Sequence, residues 1–132
     1  MSIYLIHAYE DLYNGDNGME DWDIIEGTPE EVVAHATEMS YDIIESYSCI
    51  TEILKEQAGE YVSYDEEDGE LSEEEHDRRF ENYYSECIMD DIAYTIYVLN
   101  DSNSLEQYLN YISSGAYSYE ELANEFSEEE FI

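Results

Sequence analysis

Basic side chains are nearly missing from this sequence. Lys55, Arg78 and Arg79 stand against 36 Asp and Glu in 132 residues, and the formal net charge is -33. A surface of that sign repels DNA, RNA and anionic lipid, which argues against nucleic acid and membrane as direct partners. It attracts Lys/Arg-rich protein surfaces and cations, and it speeds encounter with them. Solubility alone asks for a net charge of only about 2–8 on a small domain. The excess costs the folded state self-repulsion, so it calls for another explanation.

Cysteine is scarce too. Cys49 and Cys87 are the only two, too few for a disulfide framework, and the expectation is two buried, reduced thiols. Long apolar runs are lacking. No stretch approaches the ~20 residues of a membrane span. The start, Met1-Ser2-Ile3-Tyr4-Leu5-Ile6, has no basic n-region, and its apolar run is too short for a signal peptide. A cytoplasmic protein is expected.

Catalytic signatures are missing as well. There is no P-loop, GxGxxG, GxSxG or HExxH. His7, His35 and His76 are the only histidines. His35 lies within helical reach of Glu31 and Glu38 by spacing. Asp11, Asn14, Asp16, Glu20, Asp21 and Asp23 flank a Gly-rich loop, and hard cations favour oxygen ligands. The EF-hand pattern fails there, with Tyr13 at the third position from Asp11 and no Glu at the twelfth. No enzyme activity, cofactor or dedicated metal site is expected.

What is present is enough for a folded domain. Hydrophobic residues make up 43% of the chain, inside the globular range. Ile3 to Tyr9 and Trp22 to Ile25 read as strands around a turn-rich loop. Thr28-Pro29-Glu30-Glu31 opens a helix with a capping box and Pro at the first position. Val32, Ala36, Met39, Ile43, Tyr47, Ile50 and Leu54 then keep helical spacing, with Gly59 as the stop. One helix of roughly 30 residues is expected, about 45 Å long. Tyr61 to Tyr64 reads as extended, and Asp65 to Glu70 as a charged loop. Ser72-Glu73-Glu74-Glu75 starts a second helix. Ile92 to Val98 could continue that helix, but its β-branched and aromatic residues favour a strand. Ser104 and Ser118 open two further helices, the first ending at Gly115, and the tail from Ser127 to Ile132 is expected to fray. The sum is a single α+β domain over 1–132: a small antiparallel sheet packed against one long helix plus two or three shorter helices.

The acids form three dense regions. Glu38, Asp42, Glu45, Glu52 and Glu56 lie off the apolar stripe of the first helix. Asp65 to Asp77 holds nine acids in thirteen residues, and Glu120 to Glu130 holds six in eleven. There are also 15 tyrosines, a residue that packs an apolar body and keeps a wet hydroxyl at interfaces. Tyr47 and Tyr94 read as core. Tyr64, Tyr117 and Tyr119 read as anchors for a partner. B-DNA carries one charge per ~1.7 Å of axis, and a scaffold of carboxylates can approximate that field.

In composition, though by no motif, the chain resembles the small phage-encoded DNA-mimic inhibitors of the anti-restriction and anti-CRISPR class. Those proteins are short, acidic and Tyr-rich, with carboxylates on helices. The resemblance implies a target: a host restriction enzyme, CRISPR effector or other DNA-binding protein, met in the host cytoplasm. The expected contact residues are Glu38, Asp42, Glu45, Glu52, Asp65, Glu66, Glu67, Asp68, Glu73, Glu74 and Glu75. They would act as a set, since exposed ion pairs are worth about 0–1 kcal/mol each. The expected state is a monomer or small homo-oligomer. Three other readings remain open: an acidic adaptor or chaperone for a basic partner, a halophilic surface, and a merely solvated one.

Overall fold

The computed structural model describes residues 2–14, 18–67, 69–99, 103–125 and 128–129. The elements in chain order are β1 (Ser2–Glu10), β2 (Asp21–Gly27), α1 (Pro29–Ser46), α2 (Ser48–Glu66), α3 (Glu73–Asp91), β3 (Ile92–Val98), α4 (Leu105–Ser113), α5 (Tyr119–Glu125) and β4 (Glu128–Glu129). The fold is α+β. The sheet is antiparallel with strand order β2-β1-β3-β4.

β1 is the central strand, and its alternation builds two cores. Tyr4, Ile6 and Ala8 join Val32, Ala36, Met39, Ile43 and Ile44 of α1, together with Ile50, Leu54, Cys87, Ile88 and Ile96. Ile3 and Leu5 point the other way, into a second cluster with Ile24, Leu99, Tyr108 and Leu122. A strand covered on both faces reads as a continuous apolar run, and Ile3 to Ile6 is one. The second core also recruits Trp22, Tyr117 and Tyr119. Trp22 stacks between His7, at 3.9 Å between ring centroids, and Tyr119, at 5.8 Å. Tyr117 and Tyr119 are therefore half-buried packing residues and not free anchors. Tyr47, expected in the core, is instead exposed, while Tyr94 packs against the first core.

The capping boxes at Thr28 and Ser104 form as the sequence predicts, while Ser72 and Ser118 cap α3 and α5 through their hydroxyls. Thr28 Oγ1 accepts from the Glu31 amide at 3.3 Å, and Glu31 Oε1 accepts from the Thr28 amide at 3.2 Å. Ser104 and Gln107 repeat the exchange on α4. Gly115 follows α4 at φ 78°, a left-handed conformation that suits glycine just past a helix end. Thr28→Ala removes one side of the first box, and a loss of about 1 kcal/mol is expected. Urea midpoints at constant slope measure it.

The single 30-residue helix does not exist. Tyr47 is extended, at φ -113° and ψ 111°, and divides the run into α1 and α2. The Ser46 hydroxyl donates to the Asp42 carbonyl at 2.6 Å, a local bond that competes with the helical ladder. After the turn, α2 runs straight past Gly59 and through Tyr61 to Tyr64, up to Glu66. These residues are helical because Ile50, Leu54, Ala58 and Val62 form a buried stripe. Asp65 and Glu66 thus belong to a helix and not to a loop. Cys87 is buried but Cys49 is exposed, and both are free. In the tail, Glu128 and Glu129 pair with Tyr97 and Ile96 of β3. The rest of the expected frayed segment lies outside the described residues.

Ser40 locks α1 to the sheet. It is fully buried. Its Oγ donates to the Tyr9 carbonyl at 2.6 Å and accepts from the Ala93 amide at 3.1 Å. Tyr9 and Ala93 face each other across the β1–β3 pairing, so one hydroxyl bridges both strands. No helix among the described residues is long and apolar enough to cross a membrane.

Candidate functional site

The expected contact acids fall into two groups. On α1, Glu38, Asp42 and Glu45 are exposed at helical spacing, with Tyr41 between them at 45% exposure. Glu45, the nearest charge, holds the Tyr41 hydroxyl above the ordinary phenol range. Burial, then Glu45 and Tyr41, raise Tyr84 of α3 as well. The α1 carboxylates therefore share a surface with tyrosines from two helices. Glu52 is exposed on α2, one element further on.

The second group is the corner where α2 ends and α3 begins. The short connection turns the chain back, and Arg79 Nη1 reaches Asp65 Oδ2 at 3.1 Å. Glu66 Oε1 lies 3.7 Å from His76 Nε2. Glu67, Glu73 and Glu74 are exposed there. Glu73 and Glu74 occupy the first turn of α3, where the helix dipole favours negative charge. Asp68 lies outside the described residues.

Two expected contact residues are already held by arginines within the chain. Glu75 accepts from Arg78 Nη2 at 2.6 Å and from Arg79 Nε at 2.9 Å. The Ser72-Glu73-Glu74-Glu75 pattern also predicts a capping box, of which one arm forms: Ser72 Oγ accepts from the Glu75 amide at 3.2 Å, while the Glu75 carboxylate goes to the arginines. Arg79, then Arg78, hold the Glu75 carboxyl below the usual range. Tyr83 donates to Asp65 Oδ2 at 2.7 Å, and that bond together with Arg79 lowers Asp65. The third cation, Lys55, stands 5.8 Å over the Tyr84 ring. Each Lys and Arg of the chain thus has a partner inside it. Glu38, Asp42, Glu45, Glu52, Glu67, Glu73 and Glu74 keep their charge facing solvent.

The histidines are bound to carboxylates. His7 Nε2 meets Glu20 at 2.7 Å. His35 Nε2 meets Asp23 of β2 at 2.8 Å, so it turns to the sheet and not to Glu31 or Glu38 along its own helix. Glu20 and Asp23, which flank the Gly-rich loop, are occupied in this way, and Asp16 lies outside the described residues. Among the described residues, no three His, Cys, Asp or Glu side chains are set to hold a metal ion. Burial, then Asp90 and Glu86, push the Cys87 thiol up, which makes it a poor nucleophile.

Two acids missed by the sequence reading are buried together. Glu10 is 0% exposed and Asp91 is 6% exposed. Glu10 Oε1 accepts from the Tyr13 amide, and Asp91 Oδ1 from the Leu12 amide, each at 2.8 Å. The second oxygens, Glu10 Oε2 and Asp91 Oδ2, have no donor while both groups are ionised. A proton on Asp91 supplies one. Burial, the hydrogen bond to Glu10 and the Glu10 charge push Asp91 up to about 7. Strand alternation placed Glu10 on the same face as Tyr4, Ile6 and Ala8, and helical spacing placed Asp91 beside Cys87 and Ile88. Beside the pair opens a cavity of about 410 Å³.

No family model matches this chain, and neither does any curated protein or solved structure.

Proposed function

We propose that this chain is a DNA-mimic inhibitor that occludes the basic nucleic-acid-binding surface of a host defence protein, acting by binding and not by catalysis. One observation carries the reading. All three basic side chains are engaged internally, two of them by Asp65 and Glu75, while Glu38, Asp42, Glu45, Glu52, Glu67, Glu73 and Glu74 have no salt bridge among the described residues. Such a surface costs the fold self-repulsion and returns its value only against a basic partner. The exposed Tyr41 and Tyr64 supply contact area of the kind protein interfaces favour. The setting is the cytoplasm of the host, with the chain a monomer or small homo-oligomer.

The test is a pull-down from nuclease-treated host lysate at low salt, followed by challenge with duplex DNA. A captured DNA-binding enzyme that DNA displaces supports mimicry. A partner that binds DNA and this chain together makes it an acidic adaptor. A generic set of basic proteins released at modest salt overturns the reading. With a partner in hand, neutralising Glu66, Glu67, Glu73 and Glu74 to Gln together is expected to weaken binding strongly at low salt. The matching α1 set is Glu38→Gln, Asp42→Asn and Glu45→Gln. Each single change should cost no more than about 1 kcal/mol.

A further inference from the structure

We propose that the buried Glu10–Asp91 pair is a proton-operated latch. While the two carboxyls share a proton they hold the segment after β1 shut against the junction of α3 and β3, and without that proton they release it. The latch stands apart from the reading of the chain as an inhibitor, and neither decides the other. Three consecutive amides make the closure. The Asp11 amide donates to the Asp91 carbonyl at 2.9 Å, the Leu12 amide to Asp91 Oδ1 at 2.8 Å, and the Tyr13 amide to Glu10 Oε1 at 2.8 Å. Apolar packing adds less. Leu12 is 37% exposed, and Tyr13 is only partly buried against the first core. The segment is therefore held chiefly by the two acids, and the hold varies with their charge.

Strand register brings the pair together. Glu10 ends β1 opposite Ile92, the residue that follows Asp91 at the end of α3. The second oxygens, Glu10 Oε2 and Asp91 Oδ2, are shut off from solvent. A shared proton makes one of them a donor and the other its acceptor. Without it, two like charges face each other in a dry site, and each lacks water while Leu12 and Tyr13 stay in place. The surroundings offer no relief. Asp11 follows on the loop, Glu86, Asp90 and Tyr83 of α3 line the adjoining groove, and α2 adds the Gln57 amide and the Tyr61 hydroxyl. From α1 comes Ser40, uncharged and bonded to Tyr9 and Ala93. No Lys, Arg or His lines the groove among the described residues. Burial, then the hydrogen bond and charge of Glu10, raise Asp91 to about 7. Once the segment lifts, water reaches the pair, and Asp91 returns to the ordinary carboxylate range near 4. Opening therefore releases a proton. It becomes easier as the pH climbs from about 4 to about 7, and levels off above that because the closed form has lost the proton too.

The test is amide hydrogen exchange on the isotope-labelled full chain, followed by NMR from pH about 5 to about 8.5 and corrected for the intrinsic rate at each pH. Leu12 and Tyr13 are expected to be less protected than Ile6 in the middle of β1, whose exchange marks opening of the whole fold. Their protection should fall about tenfold per pH unit up to about 7 and then level. Asp91→Asn and Glu10→Gln each leave a side-chain amide that can donate to the remaining carboxylate. Either variant should therefore lose the pH dependence and keep Leu12 and Tyr13 protected at pH about 8. If one of them does not fold, the other decides. Protection at Leu12 and Tyr13 equal to that of Ile6 would mean that the segment opens only with the whole fold, and overturns the latch. So does protection that ignores pH in the parent, or a parental slope retained in the variants.

Discussion

Asp91→Asn is expected to make the protein more stable at pH 8 by about 2–4 kcal/mol and to flatten its stability between pH about 4 and about 7. In the fold, burial first and then the hydrogen bond and charge of Glu10 raise Asp91 from 3.8 to about 7. An acid raised in the folded state favours folding most when protonated. Its contribution is fully present below the unfolded value near 4 and is lost as the pH climbs through about 7. Asparagine carries no such proton. It keeps an oxygen for the Leu12 amide, and its amide group can donate to Glu10 Oε2. Urea midpoints for both proteins at several pH values decide the matter. A variant less stable than the parent at pH 8, with the parent's pH slope retained, would falsify the proton-sharing account.

Ser40→Ala is expected to lose about 2–4 kcal/mol, more than the removal of one exposed hydroxyl would cost. The hydroxyl satisfies two backbone groups, the Tyr9 carbonyl and the Ala93 amide. Each buried group left without a partner costs roughly 1–3 kcal/mol. Chemical denaturation measures the loss. A change below about 1 kcal/mol would mean that Tyr9 and Ala93 close on each other once the hydroxyl is gone, and that Ser40 is dispensable.

Local signals made much of this fold legible. Capping residues mark helix starts chemically, so Thr28, Ser72, Ser104 and Ser118 located four of the five helices. The run from Ile92 to Val98 forms the strand that its β-branched and aromatic residues favour. The turn at Tyr47 was hidden because Ile43, Tyr47, Ile50 and Leu54 stay in helical phase across it, with no glycine or proline to mark it. Gly59 misled in the opposite direction. A lone glycine costs a helix only about 1 kcal/mol, and the packing of α2 against α3 outweighs that. The exposed carboxylates were visible in composition alone. Their internal neutralisation was visible only in part. Glu75 with Arg78 and Arg79 follows from helical spacing, whereas Asp65 with Arg79 needs the α2–α3 turn. Glu10 and Asp91 were obscured by number, two acids among 36, although their positions on a core-facing strand and helix set them apart.

The single tryptophan has a spectroscopic consequence. Trp22 is sandwiched between His7 of β1 and Tyr119 of α5, on the sheet face opposite α1. Its emission therefore reports the docking of α5 on the sheet. The layer of α1, α2 and α3 carries no indole of its own. Fluorescence thus follows one face of the sheet, whereas far-ultraviolet circular dichroism follows the whole fold and is weighted towards the long helices α1, α2 and α3. Coincident unfolding curves from the two would establish that both cores melt as one cooperative unit.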